Sequence, residues 1–259
     1  MALLCIVASQ RAGTTALQSA LGRSGSFLNL SEIFQTNESR RAGNFLDYAR
    51  ELRINVADLA TFADARRVCE EYLDHIEAMD PDRVPVIDVK FNAWYAIHPF
   101  WAYPQAEPLL MQVLKQRGAS FVFVRRRDLA SQVLSEEIAR HTGVWHDLDD
   151  EVPLECFAVN LGAVRAKARQ IVLAEKFFAG RLAQYPLCRR VAYEDMFDGD
   201  FVDPALAEFC LSSVGIEEPV KLRPSIAKNA GDKAGQITNH AEAVEAIEDV
   251  ARRLGRSVH

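Results

Sequence analysis

The sequence lacks the features that define several large classes of protein. It has no apolar run near the ~20 residues of a membrane span, and Met1 leads almost directly into the first apolar segment, so we expect neither a membrane helix nor a signal peptide. Its five cysteines are scattered, odd in number and without a C-x-x-C pair, which argues against a disulfide framework or a zinc site. We therefore expect free thiols and a cytoplasmic location.

An excess of positive charge is also missing. The chain has 36 acidic and 30 basic residues and a formal net charge of −6. Because a surface of that sign does not attract nucleic acid or anionic membranes, any anion-binding site must be a local basic patch. The 259 residues are 49% hydrophobic and 25% charged, and they contain no internal repeat or low-complexity linker. This balance is typical of a globular protein, and we expect one domain spanning residues 1–259.

Strand-like segments alternate along the chain with segments of helical periodicity. The segments 2–8, 84–91, 120–126 and 188–197 read as four strands, and the first of them is a continuous apolar run. The predicted helices are 15–21, a long helix capped by Asn55, 106–117, 128–141, 154–183, and 240–254 with Asn239 as its cap. Strands that alternate with helices predict a parallel α/β sheet with helices on both faces, whose ligands bind beyond the carboxyl ends of the strands.

A loop after the first predicted strand resembles a phosphate-binding loop but lacks its lysine. A Walker A loop reads G-x-x-x-x-G-K-[ST], whereas residues 8–15 read A-S-Q-R-A-G-T-T. Thr14 takes the lysine position, and the nearby basic residue is Arg11. Gly13 permits close approach of an anion, and a helix starting near Thr15 turns its N–H groups toward the same point. The loop predicts phosphate or sulfate binding, and the alternative is a tight turn with an incidental surface arginine.

A second basic segment follows the third predicted strand, at 121–135, and reads F-V-F-V-R-R-R-D-L-A-S-Q-V-L-S. Arg126 leaves the strand, Asp128 can cap the next helix, and Ser135 lies two turns into that helix. Arg126 and Ser135 are therefore candidates for gripping a second, separate phosphate. The alternative is a strand edge with solvated arginines.

Together the two segments resemble the sulfotransferases that use 3′-phosphoadenosine 5′-phosphosulfate (PAPS). The stretch ASQRAGTTAL is similar to their 5′-phosphosulfate loop, and RRRDLASQVLS is similar to their 3′-phosphate segment. The bacterial branch with trehalose 2-sulfotransferase and the nodulation-factor sulfotransferases matches best, also through SEIF, DVKFN and AYEDM. The resemblance extends from residue 3 to about residue 200, and it implies a P-loop-like α/β sulfotransferase fold.

The resemblance also implies roles for individual residues. Arg11 would hold the 5′-phosphosulfate and stabilise the leaving phosphate, and Lys90 would help to neutralise the transferred group. Glu32 would be the general base, in the sequence Glu32-Ile33-Phe34, although its lead-in LNLS lacks the proline that the family prefers. The implied donor-binding residues are Arg11, Ala12, Gly13, Thr14, Thr15, Arg126, Ser135, Tyr193 and Lys228.

Each of these roles has a plainer alternative. Tyr193 can be a core residue, Lys90 a solvated lysine at a strand end, and Glu32 an acid in the first turn of a helix. Lys233 fits the C-terminal loop as well as Lys228, and an ordinary exposed loop is the alternative to both. The remaining candidates are the alternative bases His98, His141 and His146, and the aromatic residues Trp94, Trp101 and Trp145, which line an acceptor pocket or belong to the core.

Three functions follow from these patterns. The favoured one is metal-free transfer of a sulfonate group from PAPS to a hydroxyl of a carbohydrate or another small molecule. A second is a Mg²⁺-dependent P-loop phosphotransferase with Asp88 as its metal ligand, against which the missing lysine at Thr14 counts. The third is a non-catalytic protein that binds adenosine bisphosphate. We expect small-molecule partners and no nucleic acid, with a homodimer as one option.

Overall fold

The computed structural model describes residues 2–35, 43–98, 107–143, 156–217, 221–224 and 235–256. Its central sheet has five parallel strands in the order β2-β3-β1-β4-β5. These strands are β1 (Leu4–Ala8), β2 (Phe27–Glu32), β3 (Val84–Lys90), β4 (Ser120–Arg125) and β5 (Cys188–Ala192). A small antiparallel hairpin follows, formed by β6 (Phe197–Asp198) and β7 (Phe201–Val202).

Helices cover both faces of the sheet, as the sequence predicts. They are α1 (Thr14–Arg23), α2 (Phe45–Glu51), α3 (Phe62–Ala78), α4 (Leu109–Gln116), α5 (Leu129–Thr142), α6 (Leu161–Arg181), α7 (Pro204–Ser212) and α8 (His240–Arg253). Successive side chains of a strand point to opposite faces. In β1, Cys5 and Val7 therefore pack into the apolar cluster that contains α3 and α4, while Leu4 and Ile6 pack with α1 and α7. The predicted α/β architecture is confirmed.

A third apolar cluster joins α5, α6 and α8. Leu129 and Val133 of α5 pack with Ile171 of α6 and Ile247 of α8. The amphipathic segment predicted at 240–254 thus corresponds to the helix α8, which packs against α5 and α6. Asp128 caps α5 as predicted, because its carboxylate accepts the N–H of Ser131 at 2.7 Å. This packing fixes the helix that follows the second basic segment.

The segment before Glu32 differs from its prediction. Residues Phe27–Glu32 form β2 at one edge of the sheet, so the interpretation of Glu32 as an acid in a first helical turn is wrong. An edge strand has only one neighbour and need not be apolar on both faces. Because of the polar residues Asn29 and Ser31, this segment lacks the continuous apolar pattern by which a buried strand is predicted from the sequence.

Two of the predicted caps and two boundaries also need correction. Asn55 forms a capping box, but it caps a 3₁₀ turn, and the long helix α3 begins at Phe62 with Thr61 as its cap. Asn239 does not cap α8 with its side chain, which instead pairs with the backbone N–H and C=O of Val159 at 2.9 and 3.0 Å. The helix expected from 154 begins at Leu161, and the strand expected to reach 197 ends at Ala192, where a 3₁₀ turn follows.

The five cysteines are free thiols, as predicted. Within the described part of the chain, no helix combines the length and the hydrophobicity needed to cross a membrane.

Candidate active site

The carboxyl ends of all five strands of the main sheet meet at one edge. Arg11 follows β1, Glu32 ends β2, Lys90 ends β3, Arg126 follows β4 and Tyr193 follows β5. Because the strands are parallel, residues at these ends lie at the same edge of the sheet. The topology therefore brings together predicted site residues from five separate segments.

The loop between β1 and α1 is shaped to receive an anion. Gly13 is the N-cap of α1 with φ 78°, and no side chain of the described residues caps this helix. The first N–H groups of a helix have no partner within it and carry the positive end of its dipole. Arg11 also has a left-handed backbone, with φ 58°, which is a strained conformation of the kind found at ligand-binding loops. Ala12 is buried and has no polar side-chain atom, so it can offer a ligand only its backbone, whereas Thr15 is exposed.

A buried polar network around Asp88 lies beneath this loop. Asp88 is 1% exposed, and its Oδ2 accepts hydrogen bonds from the Thr14 hydroxyl at 2.6 Å, the Lys90 ammonium at 2.7 Å and the Gln18 amide. Lys90 also donates to the Thr14 hydroxyl oxygen at 2.6 Å. The Thr14 hydroxyl is therefore turned inward, and it joins the loop to β3.

Glu32 borders the same network. Its Oε1 lies 3.6 Å from the Lys90 ammonium, and its side chain is 29% exposed. The pairing register between β2 and β3 shifts between Asn29 and Glu32, and Ser31 has a left-handed φ of 57°. A shift of this kind redirects the side chains of a strand. It leaves the Glu32 carboxylate beside Lys90 and still open to solvent.

Arg11, Arg126 and Ser135 form a basic cluster next to the loop. Arg11 Nε donates to Ser135 Oγ at 3.1 Å, and Arg126 Nη1 donates to the carbonyl oxygen of Arg11 at 3.4 Å. The two anion sites predicted as separate are therefore linked by direct hydrogen bonds. Burial and the positive charge of Arg126 lower the pKa of Arg11, and Glu136 partly opposes this effect. Arg126 Nε is buried and finds no hydrogen-bond partner among the described residues. An anion at this cluster would relieve the repulsion and supply the missing acceptor.

Tyr193 connects the basic cluster with the loop. The Arg126 guanidinium lies 4.8 Å from the centre of the Tyr193 ring, within the range of a cation–π interaction. The same ring packs so closely on Gly13 that a Cβ there would lie under 3.0 Å from it. Tyr193 is partly buried against the apolar cluster of α1 and α7, so it supports the core and also borders the site.

Two buried glutamines that hold the loop were not assigned this role from the sequence. Gln132 of α5 donates to the carbonyl oxygen of Gln10 at 2.8 Å and to the Ser9 hydroxyl. Gln18 of α1 donates to Asp88. Buried amides need partners, and the available signal for Gln132 was its place on the polar face of α5, which it shares with Ser131 and Ser135.

The remaining candidate residues are buried in the core, stacked on another ring, or outside the described residues. Trp94 is fully buried in the core, and His98 is buried with its Nδ1 3.1 Å from the carbonyl oxygen of Leu59. His141 stacks on Phe157 with 3.9 Å between the ring centres. The candidates that lie outside the described residues are Trp101, Trp145, His146, Lys228 and Lys233.

No protein-family model and no curated protein matches the chain significantly, but solved structures resemble it. A sulfotransferase domain from the curacin biosynthetic pathway is 14% identical with a TM-score of 0.53, over 99% of this chain and 98% of that one. A sulfotransferase from Alicyclobacillus acidocaldarius is 10% identical with a TM-score of 0.46, over 98% and 96% of the two chains. The sulfotransferase domain of the Synechococcus PCC 7002 olefin synthase is 14% identical with a TM-score of 0.40, over 95% and 94%.

Only the first of these similarities is strong enough to support an argument, and at 14% identity it concerns the fold alone. The chain has the α/β fold of a sulfotransferase domain. This confirms the fold implied by the two basic segments. The activity depends on the residues of the site.

Proposed function

We propose that this protein transfers a sulfonate group from PAPS to a hydroxyl group of a carbohydrate or another small molecule. The observation that carries the proposal is the basic cluster beside the helix N-terminus. Two adjacent guanidinium groups, of Arg11 and Arg126, share this cluster, and Arg126 keeps a buried donor that has no partner in the described part of the chain. Such a site favours a ligand with more than one anionic group.

PAPS has an anionic group at each end, and the chain offers a contact for each. The N–H groups at Gly13, Thr14 and Thr15 would hold the 5′-phosphosulfate, since they open α1. Arg126 and Ser135 would hold the 3′-phosphate. Arg11 lies between the two groups, because its guanidinium is bonded to Ser135 while its backbone belongs to the loop.

Bound PAPS would supply an activated sulfonate group, and the residues around it supply charge and proton transfer. Glu32 accepts the proton of the acceptor hydroxyl, which makes that oxygen a better nucleophile. Arg11 holds positive charge where the leaving phosphate gains negative charge, and Lys90 helps to neutralise the transferred group. The 3.6 Å between the Glu32 carboxylate and the Lys90 ammonium places the base beside this positive charge.

The buried network disfavours the phosphotransferase alternative. A Mg²⁺-dependent enzyme of this type needs the carboxylate of Asp88 as a metal ligand. In this chain one oxygen of Asp88 already accepts hydrogen bonds from Thr14, Gln18 and the Lys90 ammonium. Lys90 thus already neutralises the charge that a metal ion would neutralise.

Nucleotide binding tests the donor site. Adenosine 3′,5′-bisphosphate should raise the melting temperature much more than AMP does, because Arg126 and Ser135 need a 3′-phosphate to bind. Each charge-assisted hydrogen bond contributes roughly 1.5–3 kcal/mol, so Arg126→Ala should remove most of the preference. Arg127→Ala is the matched control, since Arg127 pairs with Asp195 and is partly exposed. Equal stabilisation by AMP and the bisphosphate would contradict the proposal.

Transfer of label tests the activity itself. PAPS that carries radioactive sulfur should yield a labelled product when the protein is supplied with a pool of hydroxylated acceptors, and EDTA should not stop the reaction. Tight bisphosphate binding without any labelled product would instead favour the non-catalytic alternative. Stabilisation by ATP and Mg²⁺, but not by the bisphosphate, would favour the phosphotransferase.

A further inference from the structure

The peptide group between Arg126 and Arg127, in the proposed donor site, is hydrogen-bonded by charged side chains at both its C=O and its N–H. Its C=O belongs to Arg126 and accepts a hydrogen bond from the guanidinium Nη2 of Arg256. Its N–H belongs to Arg127 and donates to the carboxylate of Glu194, 3.1 and 3.0 Å from the two oxygens. The next N–H, of Asp128, also lies 3.3 Å from Glu194 Oε1. Charge-assisted hydrogen bonds are about twice as strong as neutral ones, so this peptide is fixed more firmly than an ordinary loop peptide.

Arg256 is itself held in place. Its Nη1 lies 3.0 Å from Oε2 of Glu175, and the two side chains are only 10% and 11% exposed. Glu175 belongs to α6 and Arg256 follows α8, so the pair spans two helices of the third apolar cluster. A guanidinium spreads its charge over a planar fork, so Nη2 can donate to the carbonyl oxygen while Nη1 stays at ion-pair distance from the carboxylate, whereas the ammonium of a lysine presents a single point charge. The identity of Arg256 as arginine therefore matters to this arrangement.

The orientation of the peptide between Arg126 and Arg127 affects the side chain of Arg126, which would bind the 3′-phosphate. The carbonyl carbon of this peptide is bonded to the Cα of Arg126, so a rotation of the peptide would change where the Arg126 guanidinium points. That guanidinium is already placed between the Tyr193 ring and the backbone of Arg11. Tyr193 is the chain neighbour of Glu194, so the two contacts to this segment come from the same turn after β5.

From this geometry we propose that Arg256 and Glu194 are positioning residues that hold Arg126 ready for the 3′-phosphate. They would thereby give the protein its preference for a nucleotide that carries a 3′-phosphate. Neither residue touches the proposed donor: each acts through the peptide between Arg126 and Arg127. The inference rests on the proposed function and adds the origin of its donor selectivity.

The test compares the affinities for adenosine 3′,5′-bisphosphate and for AMP by titration calorimetry, at a temperature where every variant is folded. In Arg256→Ala and in Glu194→Ala the bisphosphate should bind about tenfold more weakly or worse, as expected from the loss of one charge-assisted bond. AMP should bind within about twofold of the wild type, because it does not use the Arg126 contact. Arg256→Lys should lie between the wild type and Arg256→Ala.

Two matched controls separate positioning from a general effect of charge or stability. Arg253→Ala removes the same charge from the end of α8, where Arg253 is 77% exposed. Asp195→Ala removes the acidic neighbour of Glu194, which contacts the side chain of Arg127 but not the peptide between Arg126 and Arg127. Both controls should keep the ratio of the two affinities.

The outcomes are distinguishable. If the wild type prefers the bisphosphate but Arg256→Ala and Glu194→Ala keep that preference within about twofold, the positioning role is wrong. If the wild type shows no preference, the proposed function itself is wrong, and the inference falls with it. If Arg256→Ala does not fold, Glu194→Ala decides the question alone, since Glu194 is partly exposed and lies outside the buried ion pair.

Discussion

Replacing Gly13 by alanine should disturb the stability of the fold far more than the same change at Gly25. The two glycines have nearly the same left-handed backbone, with φ 78° and 79°. A Cβ at Gly13 would lie closer than 3.0 Å to two ring atoms of Tyr193, whereas a Cβ at Gly25 would find nothing within 4 Å. Comparing the two substitutions therefore separates the backbone strain, which they share, from the steric clash, which only Gly13→Ala creates.

The two contributions have different sizes. A side chain in the left-handed region costs about 1–2 kcal/mol, and this should be the whole effect of Gly25→Ala. Gly13→Ala adds the cost of moving the ring, and overpacking of this kind typically costs about 1–3 kcal/mol more. The displaced ring would also disturb its contact with Arg126, so Gly13→Ala should weaken binding of the bisphosphate while Gly25→Ala should not.

Urea unfolding of the two variants and the wild type measures this difference, provided that the dependence on denaturant is the same in all three. In a Tyr193→Ala background, Gly13→Ala should cost only about as much stability as Gly25→Ala does, since the ring that the new methyl group would meet is then absent. A free energy of unfolding that is the same for the two glycine variants to within about 0.5 kcal/mol, the usual scatter between independent sites, would refute the packing of Tyr193 on the loop.

Two further predictions concern carboxylates. Glu32→Gln should lower kcat by about 10²- to 10⁴-fold with bisphosphate binding unchanged. Steady-state kinetics measures this, with the exposed Glu51→Gln as control, and a variant that keeps more than about a tenth of the wild-type kcat would exclude Glu32 as the base. At Glu175, burial raises the pKa from 4.5 to about 7, against the lowering effects of Arg256 and Arg125. The folded chain then binds this proton more tightly than the unfolded chain, so the free energy of unfolding should fall by roughly 3 kcal/mol as the pH rises between these two values. Urea unfolding across this range should show the decline in the wild type but not in Glu175→Gln, and parallel curves for the two proteins would be inconsistent with it.

How much of the fold could be predicted depended on where each strand lies in the sheet. The strands β1, β3 and β4 are interior strands buried on both faces, so their sequences are largely apolar, although β3 also carries the buried Asp88 and Lys90. β2 lies at the edge, with a register shift and the polar residues Asn29 and Ser31, and its sequence contains no continuous apolar run. Edge position and irregular pairing are properties of the assembled sheet, which a local pattern cannot show.

Some residues of the candidate site could likewise be predicted from the sequence, and others could not. Arg11, Gly13 and Arg126 could be recognised because a strand, a turn and a helix N-terminus are adjacent in sequence and have a local signature. Arg256 could not, because it reaches a backbone carbonyl 130 residues away, and any residue type provides that carbonyl. Contacts from side chain to distant backbone leave no pattern in the partner's sequence.

The strand order has a consequence for how the protein folds. Arg11, Glu32, Lys90, Arg126 and Tyr193 each belong to a different strand end, and parallel neighbours are joined only through long crossovers. No pair of neighbouring segments among the described residues contains all of the proposed donor site, so that site is complete only when the last crossover is in place. Long-range pairing of this kind makes folding slow. A nucleotide that binds only the finished sheet therefore acts on the lifetime of the native state, slowing its unfolding, and leaves the rate of refolding unchanged.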